Sequence, residues 1–345
     1  MKNILHIIVC FFVLLITTTE LFAQEILVEK TDTSKVQGSK VVAIPFSFYL
    51  KTLGVSAAVD IAARGLLQQQ STSTLVGLVS TNGSKYIYWE AENFQVPMIK
   101  RLFFSPNINI AHYGSLDVYN GLNFKFPTET AGNNYSDKMN YYRIQSNKIE
   151  GEFIFRFLLP AGYGKNHVLD TLFLKNGLPI NNGTSLGTLN PFTSGRTFIE
   201  SSLFFQNQNM QFPTPIGSRK LRTFGYTIGI SNENVDFKDN PSRGTIEYFK
   251  LWNGLSAFNS TATWTMYEGS FSAFVPVKSV QLRQQVLAFN LWTRYTNRWN
   301  DYELVNNYPE YEHRPSPFMG ACLGGRFRFR GYPEARFNDC AAWLY

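Results

Sequence analysis

The most informative segment of the chain is Leu323-Gly324-Gly325-Arg326-Phe327-Arg328-Phe329-Arg330-Gly331-Tyr332. It lies in a long polar stretch between segments in which apolar and polar residues alternate. Its three glycines permit backbone conformations that are closed to other residues, and they let the chain approach a wall closely. Arg330 offers five donors in a planar fork, which suits an acidic or carbonyl-rich site. Tyr332 can anchor by stacking and through its hydroxyl. We interpret the segment as a loop that folds back and packs against a wall of the protein.

The flanking segments alternate with a period of two residues, which is typical of β-strands. In Phe224–Ser231 the bulky apolar residues occupy every second position, and Glu152–Leu159 repeats this scheme. A strand places such alternating sets on opposite faces of the sheet. Strands are predicted near residues 54–63, 71–80, 84–93, 102–113, 117–127, 147–160, 197–208, 221–232, 243–252, 261–276 and 283–296, and a twelfth is predicted to begin near residue 339.

The two faces of these strands differ in a way that favours a membrane barrel. A soluble β-sandwich also alternates, but its outward positions are commonly Lys, Glu, Thr or Ser. Here the second face often carries small residues, such as Gly225 and Gly229, which suits an enclosed face. Lys250 departs from the scheme because it falls in register with apolar neighbours. Snorkelling at a membrane interface and an error in the assumed register both explain it.

The predicted connections between strands are unequal in length. Asn82-Gly83 and the segment 239–242 are short turns, whereas 128–146, 161–196 and 297–338 are long loops. Short turns on one side and long loops on the other are typical of bacterial outer-membrane barrels. The sequence therefore favours an all-β fold, with long loops expected on one side.

Composition is compatible with this fold and leaves one alternative. The chain has 345 residues, of which 17% are charged and 16% aromatic, against about 25% charged in typical soluble domains. Membrane barrels use aromatic residues on the lipid face and in the interfacial girdles. An aromatic-rich secreted β-module has a similar composition. The net charge of +7 is spread along the chain and does not indicate nucleic-acid binding.

The first residues indicate export. Residues 1–23 have a positive start, an apolar stretch too short to span a bilayer, and Leu21-Phe22-Ala23 before a plausible cleavage point, which together predict a signal peptide. Residues 24–40 are polar and are predicted to form a short exposed leader. Residues 41–345 are predicted to form one outer-membrane β-barrel domain.

Two motifs in order resemble the BamA/TamA superfamily of outer-membrane barrels. The run Asp236-Phe237-Lys238-Asp239-Asn240-Pro241-Ser242-Arg243-Gly244 resembles the family's periplasmic turn, in which an acidic stretch leads into Pro-x-Arg-Gly and a strand. Two further predicted strands follow, and then the Gly-Gly and Arg-Gly-Tyr words of the loop appear in the family's order. The resemblance is specific over residues 221–345 and only architectural over residues 41–220.

The resemblance implies a transmembrane antiparallel up-and-down β-barrel and a role for its loop. In the family the loop folds into the lumen, and its arginine pairs with an acidic site on the wall and steadies the barrel. This role is carried over to Arg330, with Gly324, Gly325, Gly331 and Tyr332 completing the loop motif. The turn motif comprises Asp239, Pro241, Arg243 and Gly244. The acids expected to face the lumen and receive Arg330 are Asp60, Glu152, Glu247 and Glu268.

Two departures from the family pattern bear on this expectation. The family carries periplasmic POTRA domains before its barrel, and residues 24–40 are too short for one. The family barrel has sixteen strands, whereas about twelve are predicted here. Because an open sheet edge in lipid is costly, we expect the barrel to be C-terminally incomplete, although twelve strands that close by themselves are the alternative.

The chain shows no pattern of an enzyme active site. His112, His167 and His313 are isolated, and no His-Glu-x-x-His, Gly-x-Ser-x-Gly or phosphate-loop motif is present. No catalytic residue, cofactor or metal is therefore expected. Cys322 and Cys340 flank the loop motif, and the spacing fits either a disulfide across its base or two unpaired cysteines.

These observations leave three functions in order of preference. The first is assistance in inserting or translocating outer-membrane or secreted proteins, with outer-membrane lipid and unfolded client proteins as partners and no nucleic acid. The second is a passive outer-membrane pore or transporter that keeps the family fold. The third is a secreted soluble β-module. The expected location under the first two is the bacterial outer membrane.

Overall fold

The computed structural model describes most of the chain as β-structure. The described residues are 27–31, 40–50, 53–119, 132, 135–175, 178–179, 190–214, 216–238, 240–277, 284–305, 308–311, 313–316, 318–325, 328–329, 331–333, 335–338 and 341–345. The predicted signal peptide lies outside them, as do Asp239, Arg330 and Cys340. Among the described residues, none forms a helix long and apolar enough to cross a bilayer.

Eighteen strands are described, with one short 3₁₀ helix at Tyr163–Lys165. The strands are β1 (Leu27–Thr31), β2 (Lys40–Leu50), β3 (Gly54–Arg64), β4 (Thr72–Ser80), β5 (Lys85–Glu92), β6 (Phe94–Gln95), β7 (Leu102–Val118), β8 (Tyr142–Leu158), β9 (Asp170–Lys175), β10 (Leu178–Pro179), β11 (Arg196–Gln211), β12 (Ser218–Val235), β13 (Gly244–Leu255), β14 (Trp264–Pro276), β15 (Val286–Thr296), β16 (Tyr302–Val305), β17 (Tyr308–Tyr311) and β18 (Ala342–Leu344).

One antiparallel sheet contains thirteen of these strands. Its order is β18-β15-β14-β13-β12-β11-β8-β7-β5-β4-β3-β2, with β6 added beside β7. Each strand of this order pairs with the next strand of the order along the chain, so the sheet has an up-and-down topology, with β9–β10 and β16–β17 inserted in two of its connections. Within the described residues, β2 and β18 each have one neighbour and are not paired with each other. The prediction of an all-β antiparallel fold is confirmed.

Most predicted strands are found, with three differences. The predicted strand 117–127 does not begin separately, because β7 continues to Val118 through a bulge between Tyr113 and Leu116. Strand β2 was not predicted. The leader contributes a strand, because β1 pairs in parallel with β9.

The connections do not place all long loops on one side. We call the upper rim the end that carries connections 51–53, 81–84, 119–141, 212–217, 256–263 and 297–341. The lower rim carries connections 65–71, 93–101, 159–195, 236–243 and 277–285. The long connection 159–195 therefore lies at the rim opposite the other two long connections, which corrects the expectation that long loops share one side.

The sheet has one outer face on which large apolar side chains are exposed. Alternate positions of the strands supply this face, in agreement with the period-two pattern. Its exposed apolar residues include Val55, Val59, Val79, Ile87, Ile110, Ile149, Leu203, Ile228, Phe249, Phe271, Phe289 and Leu291. Glu247 also lies on this face, because it alternates with the inward-facing Tyr248, so the expectation that it faces the lumen is wrong.

The other face, here called the lumen face, carries buried charged and aromatic groups. Glu152, Arg156, Glu200 and Glu268 all lie on it by register. Lys250 also lies on this face, where its Nζ is 2.9 Å from Glu200. Neither snorkelling nor a register error explains this lysine, because it is one half of an inward ion pair.

The sheet curves around the loop that follows β15. Phe318 packs against a cluster on β7, β8 and β11 that includes Ile144 and Met210. The carbonyl of the next residue, Met319, accepts a hydrogen bond of 2.8 Å from Arg294 on β15. Five strand spacings separate β15 from β8, which would be roughly 24 Å in a flat sheet. Adjacent residues can reach both strands only because the sheet bends into a wall around them.

Candidate functional site

The candidate site is the contact between the lumen face and the loop segment 313–338, here called the inward loop. The motif Leu323–Tyr332 lies inside this segment. Two residues bracket its base, because Leu323 and Phe337 exchange backbone hydrogen bonds of 2.8 and 3.1 Å. Both side chains are buried with Trp292 of β15. The motif is thus a closed turn seated on the last long strand of the sheet.

The glycines allow this turn to be tight. Gly324 has φ +113°, in the left-handed region that favours glycine, and a Cβ placed there would lie 2.0 Å from the Pro333 carbonyl oxygen. Its amide donates to the Arg328 carbonyl at 3.0 Å, and the Gly325 amide donates to the Tyr332 carbonyl at 3.0 Å. Any other residue at Gly324 would push the two arms of the turn apart.

Aromatic stacking fills the turn. The rings of Phe329 and Tyr332 are parallel with centroids 4.5 Å apart, and Phe337 packs against both. Tyr332 keeps 45% of its surface exposed, so its anchoring contact is the stack. The predicted stacking of Tyr332 therefore takes place within the loop and not on the wall.

Glu268 on β14 is the acidic anchor for the inward loop. Its side chain is buried, with 3% exposure. One carboxylate oxygen accepts hydrogen bonds from Tyr248 at 3.1 Å, Trp292 at 2.8 Å and Arg328 at 3.3 Å. The other accepts from Trp252 at 2.9 Å and Arg294 at 3.1 Å. Five donors from three parts of the chain, namely β13, β15 and the inward loop, therefore converge on one carboxylate.

Arg328 is the loop residue that reaches this anchor. Its guanidinium lies 3.9 Å from the ring centroid of Trp292, a stacked cation–π geometry. Arg294 adds a second link, because it donates to the carbonyls of Met319 and Gly320 while it also binds Glu268. A cavity of about 350 Å³ remains beside this cluster, lined by Tyr248, Ser270, Asn290, Trp292, Arg328 and Tyr345.

The structure thus brings together only part of the predicted site. Glu268 was among the expected acidic partners and receives an arginine of the motif, but that arginine is Arg328. Arg330 lies outside the described residues, so its role stays a prediction. Sequence reasoning missed Arg328, Arg294 and the two tryptophans. Two features of the sequence could have indicated them. The Arg-Phe-Arg-Phe-Arg run contains several candidate arginines, and Trp292 occupies an inward position in the alternation of β15.

A second contact ties the inward loop to the upper rim. Arg336 is buried and donates to the Ser136 carbonyl at 2.5 Å and to its hydroxyl at 3.2 Å. The side-chain amide of Asn338 donates to the Tyr119 backbone carbonyl at 2.8 Å. Burial raises the pKa of Tyr119 to about 12, and the guanidinium of Arg336 lies 5.0 Å from the centroid of its ring. The loop is thereby joined to connection 119–141, about 200 residues earlier in the chain.

The turn motif at the lower rim is organised by Asp236. Its carboxylate accepts backbone N–H groups of Phe237 at 3.0 Å, Ser242 at 2.8 Å and Arg243 at 3.3 Å, and it also accepts the Ser242 hydroxyl. Pro241 lies within the turn, and Gly244 begins β13 with φ +110°. Among the described residues, the acid that shapes this turn is Asp236, which was not one of the predicted motif residues. Asp239, which was, lies outside the described residues.

A buried ion-pair network lies on the lumen face near this turn. Arg156 lies 3.2 Å from Glu200 and 2.5 Å from Glu233, and Lys238 lies 2.8 Å from Glu233. Lys250 completes the network through Glu200. Buried charges need such partners, and the network pairs two acids with three cations. No group of three or more His, Cys, Asp or Glu among the described residues is placed to hold a metal.

Comparison with known proteins gives likenesses among solved structures only. No protein-family model matches the sequence, and no curated protein sequence is significantly similar to it. The solved structures that resemble it include BamA from Haemophilus ducreyi lacking POTRA domains 1–3, with 14% identity and a TM-score of 0.45. The match covers 87% of this chain and 47% of that chain. The chain therefore spans about half the length of the protein it matches.

Proposed function

We propose that this chain is an outer-membrane β-barrel protein of the BamA/TamA type that assists insertion or translocation of outer-membrane or secreted proteins. Its partners would be outer-membrane lipid and unfolded client chains, and it would not act as an enzyme. The outer face supports a membrane location, because a band of exposed Ile, Leu, Val and Phe matches the apolar exterior of such barrels. The order of the turn and loop motifs supports the choice of family.

The observation that carries the proposal is the anchoring of Arg328 to Glu268 inside the curved sheet. In the family that the motifs resemble, an arginine of this loop pairs with an acidic wall site and steadies the barrel. The resemblance matches that arginine to Arg330, and the pairing of Arg328, two residues before it in the same loop, with Glu268 at 3.3 Å supports the proposal. The inward loop also occupies space that an open solute path would need, which favours the assembly role over a passive pore.

The proposed mechanism uses the edges of the sheet. An incoming strand can add to a sheet edge through main-chain hydrogen bonds, with alternate side chains directed to lipid. Within the described residues, β2 and β18 each have one neighbour, and these strands are where a client strand would pair. The role of the inward loop is then to hold the wall in shape while its seam is in use.

The test is a reconstituted folding assay with matched variants. Full-length protein would be placed in liposomes, and a urea-unfolded outer-membrane barrel would be added as client, with protection from protease as the readout. We expect faster protection than in empty liposomes. We also expect Glu268→Gln to lose most of that gain, because the carboxylate that binds two arginines is neutralised. Glu247→Gln, on the outer face of the neighbouring strand, should behave as the unchanged protein.

Other outcomes would select the other functions. Client folding equal to that in empty liposomes, together with stepwise conductance in planar bilayers, would replace the proposal with a passive pore. Recovery of the folded protein in buffer without detergent or lipid would replace it with a secreted soluble β-module. Equal loss in both glutamate variants would remove the inward loop from the mechanism.

A further inference from the structure

The outer face near the upper rim carries a row of polar and basic side chains across five strands. The register of β5, β7, β8, β11 and β12 aligns Lys85, His112, Asn147, Asn209 and Lys220 in one row. The next row toward the middle of the sheet contains Ile87, Ile110, Ile149, Asn207 and Arg222. Basic and amide groups therefore lie directly beside three exposed isoleucines.

These residues line a shared cavity on the outside of the sheet. It has a volume of about 430 Å³, and both Lys85 and Lys220 line it, together with the three isoleucines. A ring nitrogen of His112 lies 2.7 Å from the Asn147 side-chain oxygen, which fixes two of the polar groups between the lysines. The cavity thus has a polar border on its upper side and an apolar border below.

The charge in this patch is not balanced by acids. On the outer face of the five strands, the single carboxylate among the described residues is Asp117, and Arg143 holds it at 2.8 Å. Within the same described part of the chain, neither Lys85 nor Lys220 is ion-paired. The acids of these strands, including Glu150, Glu152 and Glu200, lie on the lumen face. The border of the cavity is therefore an uncompensated positive strip.

The cations in the strip are spaced in two groups. Lys85 is on β5, and four strand spacings, roughly 19 Å, separate it from Lys220 on β12. Arg222 lies two residues beyond Lys220 on the same outer face. One phosphate cannot contact both groups, whereas long lysine and arginine side chains can reach inward to the two phosphates of a single headgroup. The isoleucines below would meet the acyl chains of the same lipid.

We propose that this strip binds the headgroup of a phosphorylated lipid of the outer leaflet, with its phosphates at Lys85 and at Lys220 and Arg222. The inference rests on the proposed function, because it needs the outer face to lie in a membrane with the upper rim at the headgroup level. Basic residues at that level attract anionic lipid. Arginine suits a phosphate in particular because its fork donates two parallel hydrogen bonds.

Native mass spectrometry of the detergent-solubilised full chain tests the proposal. Delipidated protein would be titrated with a bisphosphorylated lipid, lipid A, and separately with phosphatidylcholine. We expect one lipid A to be retained in preference to phosphatidylcholine. The triple variant Lys85→Gln, Lys220→Gln, Arg222→Gln should bind lipid A about 100-fold more weakly, from three basic contacts near an anionic group. Inorganic phosphate at the same concentration should not compete.

The control removes cations of the same kind at the lower rim. Lys100→Gln with Lys165→Gln removes two exposed cations there and should leave lipid A binding within twofold. Lipid A binding by the triple variant equal to that of the unchanged protein would overturn the proposal, as would equal loss in the control. Competition by inorganic phosphate would overturn the lipid as ligand.

Vesicle flotation separates this inference from the proposed function. Failure of the chain to insert into phosphatidylcholine vesicles would remove the membrane location itself. Insertion into those vesicles, without any preference for vesicles that contain lipid A, would overturn the headgroup site alone. Circular dichroism of the triple variant checks that its sheet content is unchanged.

Discussion

Glu268 illustrates how a buried charge becomes a structural anchor. Removing a carboxylate from water is costly unless donors replace the lost solvent. Here Tyr248, Trp252 and Trp292 supply neutral donors, and two arginines supply charge. Because one of those arginines belongs to the inward loop, the same carboxylate that stabilises the wall also determines where the loop lies.

Removal of this carboxylate should cost stability. We expect Glu268→Ala to lower the free energy of unfolding by about 3–5 kcal/mol, because it removes a buried acid from two partly buried arginines and from three neutral donors. Urea unfolding in detergent would measure this. Glu247→Ala on the outer face should change it by about 0.5 kcal/mol or less. A loss for Glu268→Ala no larger than that of the control would contradict the anchor.

The sequence pattern supplied four candidate acids without an order among them, namely Asp60, Glu152, Glu247 and Glu268. The structure places an arginine of the loop on Glu268, and that arginine is not the one that was predicted. The three arginines of the motif alternate with phenylalanines, so a period-two pattern treats Arg326, Arg328 and Arg330 alike. Phe329 has φ +60°, which turns the backbone between the last two arginines. A local turn of this kind cannot be read from alternation.

At the scale of elements, glycines on the lumen face set how closely strands and aromatic rings approach. A Cβ at Gly225 would lie 2.1 Å from the Asn253 carbonyl oxygen and 2.4 Å from the Phe204 ring. Phe204 is buried with Trp264 and Met266. The small residues of the second face, which the sequence pattern singled out, therefore make room for large rings of the neighbouring strand.

Substitution of Gly225 should be costly although alanine is small. We expect Gly225→Ala to destabilise the protein by about 1–3 kcal/mol through overpacking. Gly77→Ala is the matched control, since the nearest atom to its new Cβ is 3.9 Å away. That change should be neutral or stabilising, because glycine weakens strand interiors. Thermal unfolding of both variants measures the change in Tm, and equal changes in Tm for the two variants would exclude overpacking at Gly225.

The inward loop should detach when its upper-rim contact is removed. Arg336→Met loses two hydrogen bonds to Ser136 and the cation–π contacts with Tyr119 and Phe337. We expect faster hydrogen exchange and proteolysis within 313–338 while the strands stay protected. Arg298→Met, which breaks an exposed pair with Asp301, should have little effect. Unchanged exchange in Arg336→Met would show that the contact with Ser136 does not hold the loop in place.

Two misplaced elements have physical causes that the sequence obscured. Gly114 and Ser115 resemble a turn, but they form a bulge within β7, and a Cβ at Gly114 would meet the Asn82 carbonyl oxygen at 2.1 Å. Pro45 argues against a strand in the interior of a sheet. Within the described residues β2 has a neighbour on one side only, where a proline is tolerated.

At the scale of the whole molecule, the apolar outer face and the charged lumen face reverse the arrangement of a soluble sheet. Alternation predicted the separation of the two faces, and the register confirms it. The resemblance predicted a barrel, but contacts such as that of Arg336 with Ser136 could not be predicted, because they join residues 200 positions apart. Neither could the sequence show that connection 159–195 lies at the lower rim.

A charge in the middle of the outer band should impair membrane insertion. We expect Ile228→Lys, halfway along β12, to cost about 2–4 kcal/mol, since a lysine on the lipid face is most unfavourable at the midplane. Asn209→Lys, in the polar row at the upper rim, should cost about 1 kcal/mol or less. Folding into vesicles at graded urea concentrations compares them. Equal costs would contradict a lipid-facing band.

The two tryptophans bound to Glu268 also make the position of the inward loop visible by fluorescence. Trp252 and Trp292 both donate their N–H groups to that carboxylate, and the guanidinium of Arg328 covers Trp292. Release of the inward loop would uncover one of six tryptophans in the chain and change its emission. Intrinsic fluorescence can therefore follow the loop in a working membrane, without a dye or an added label.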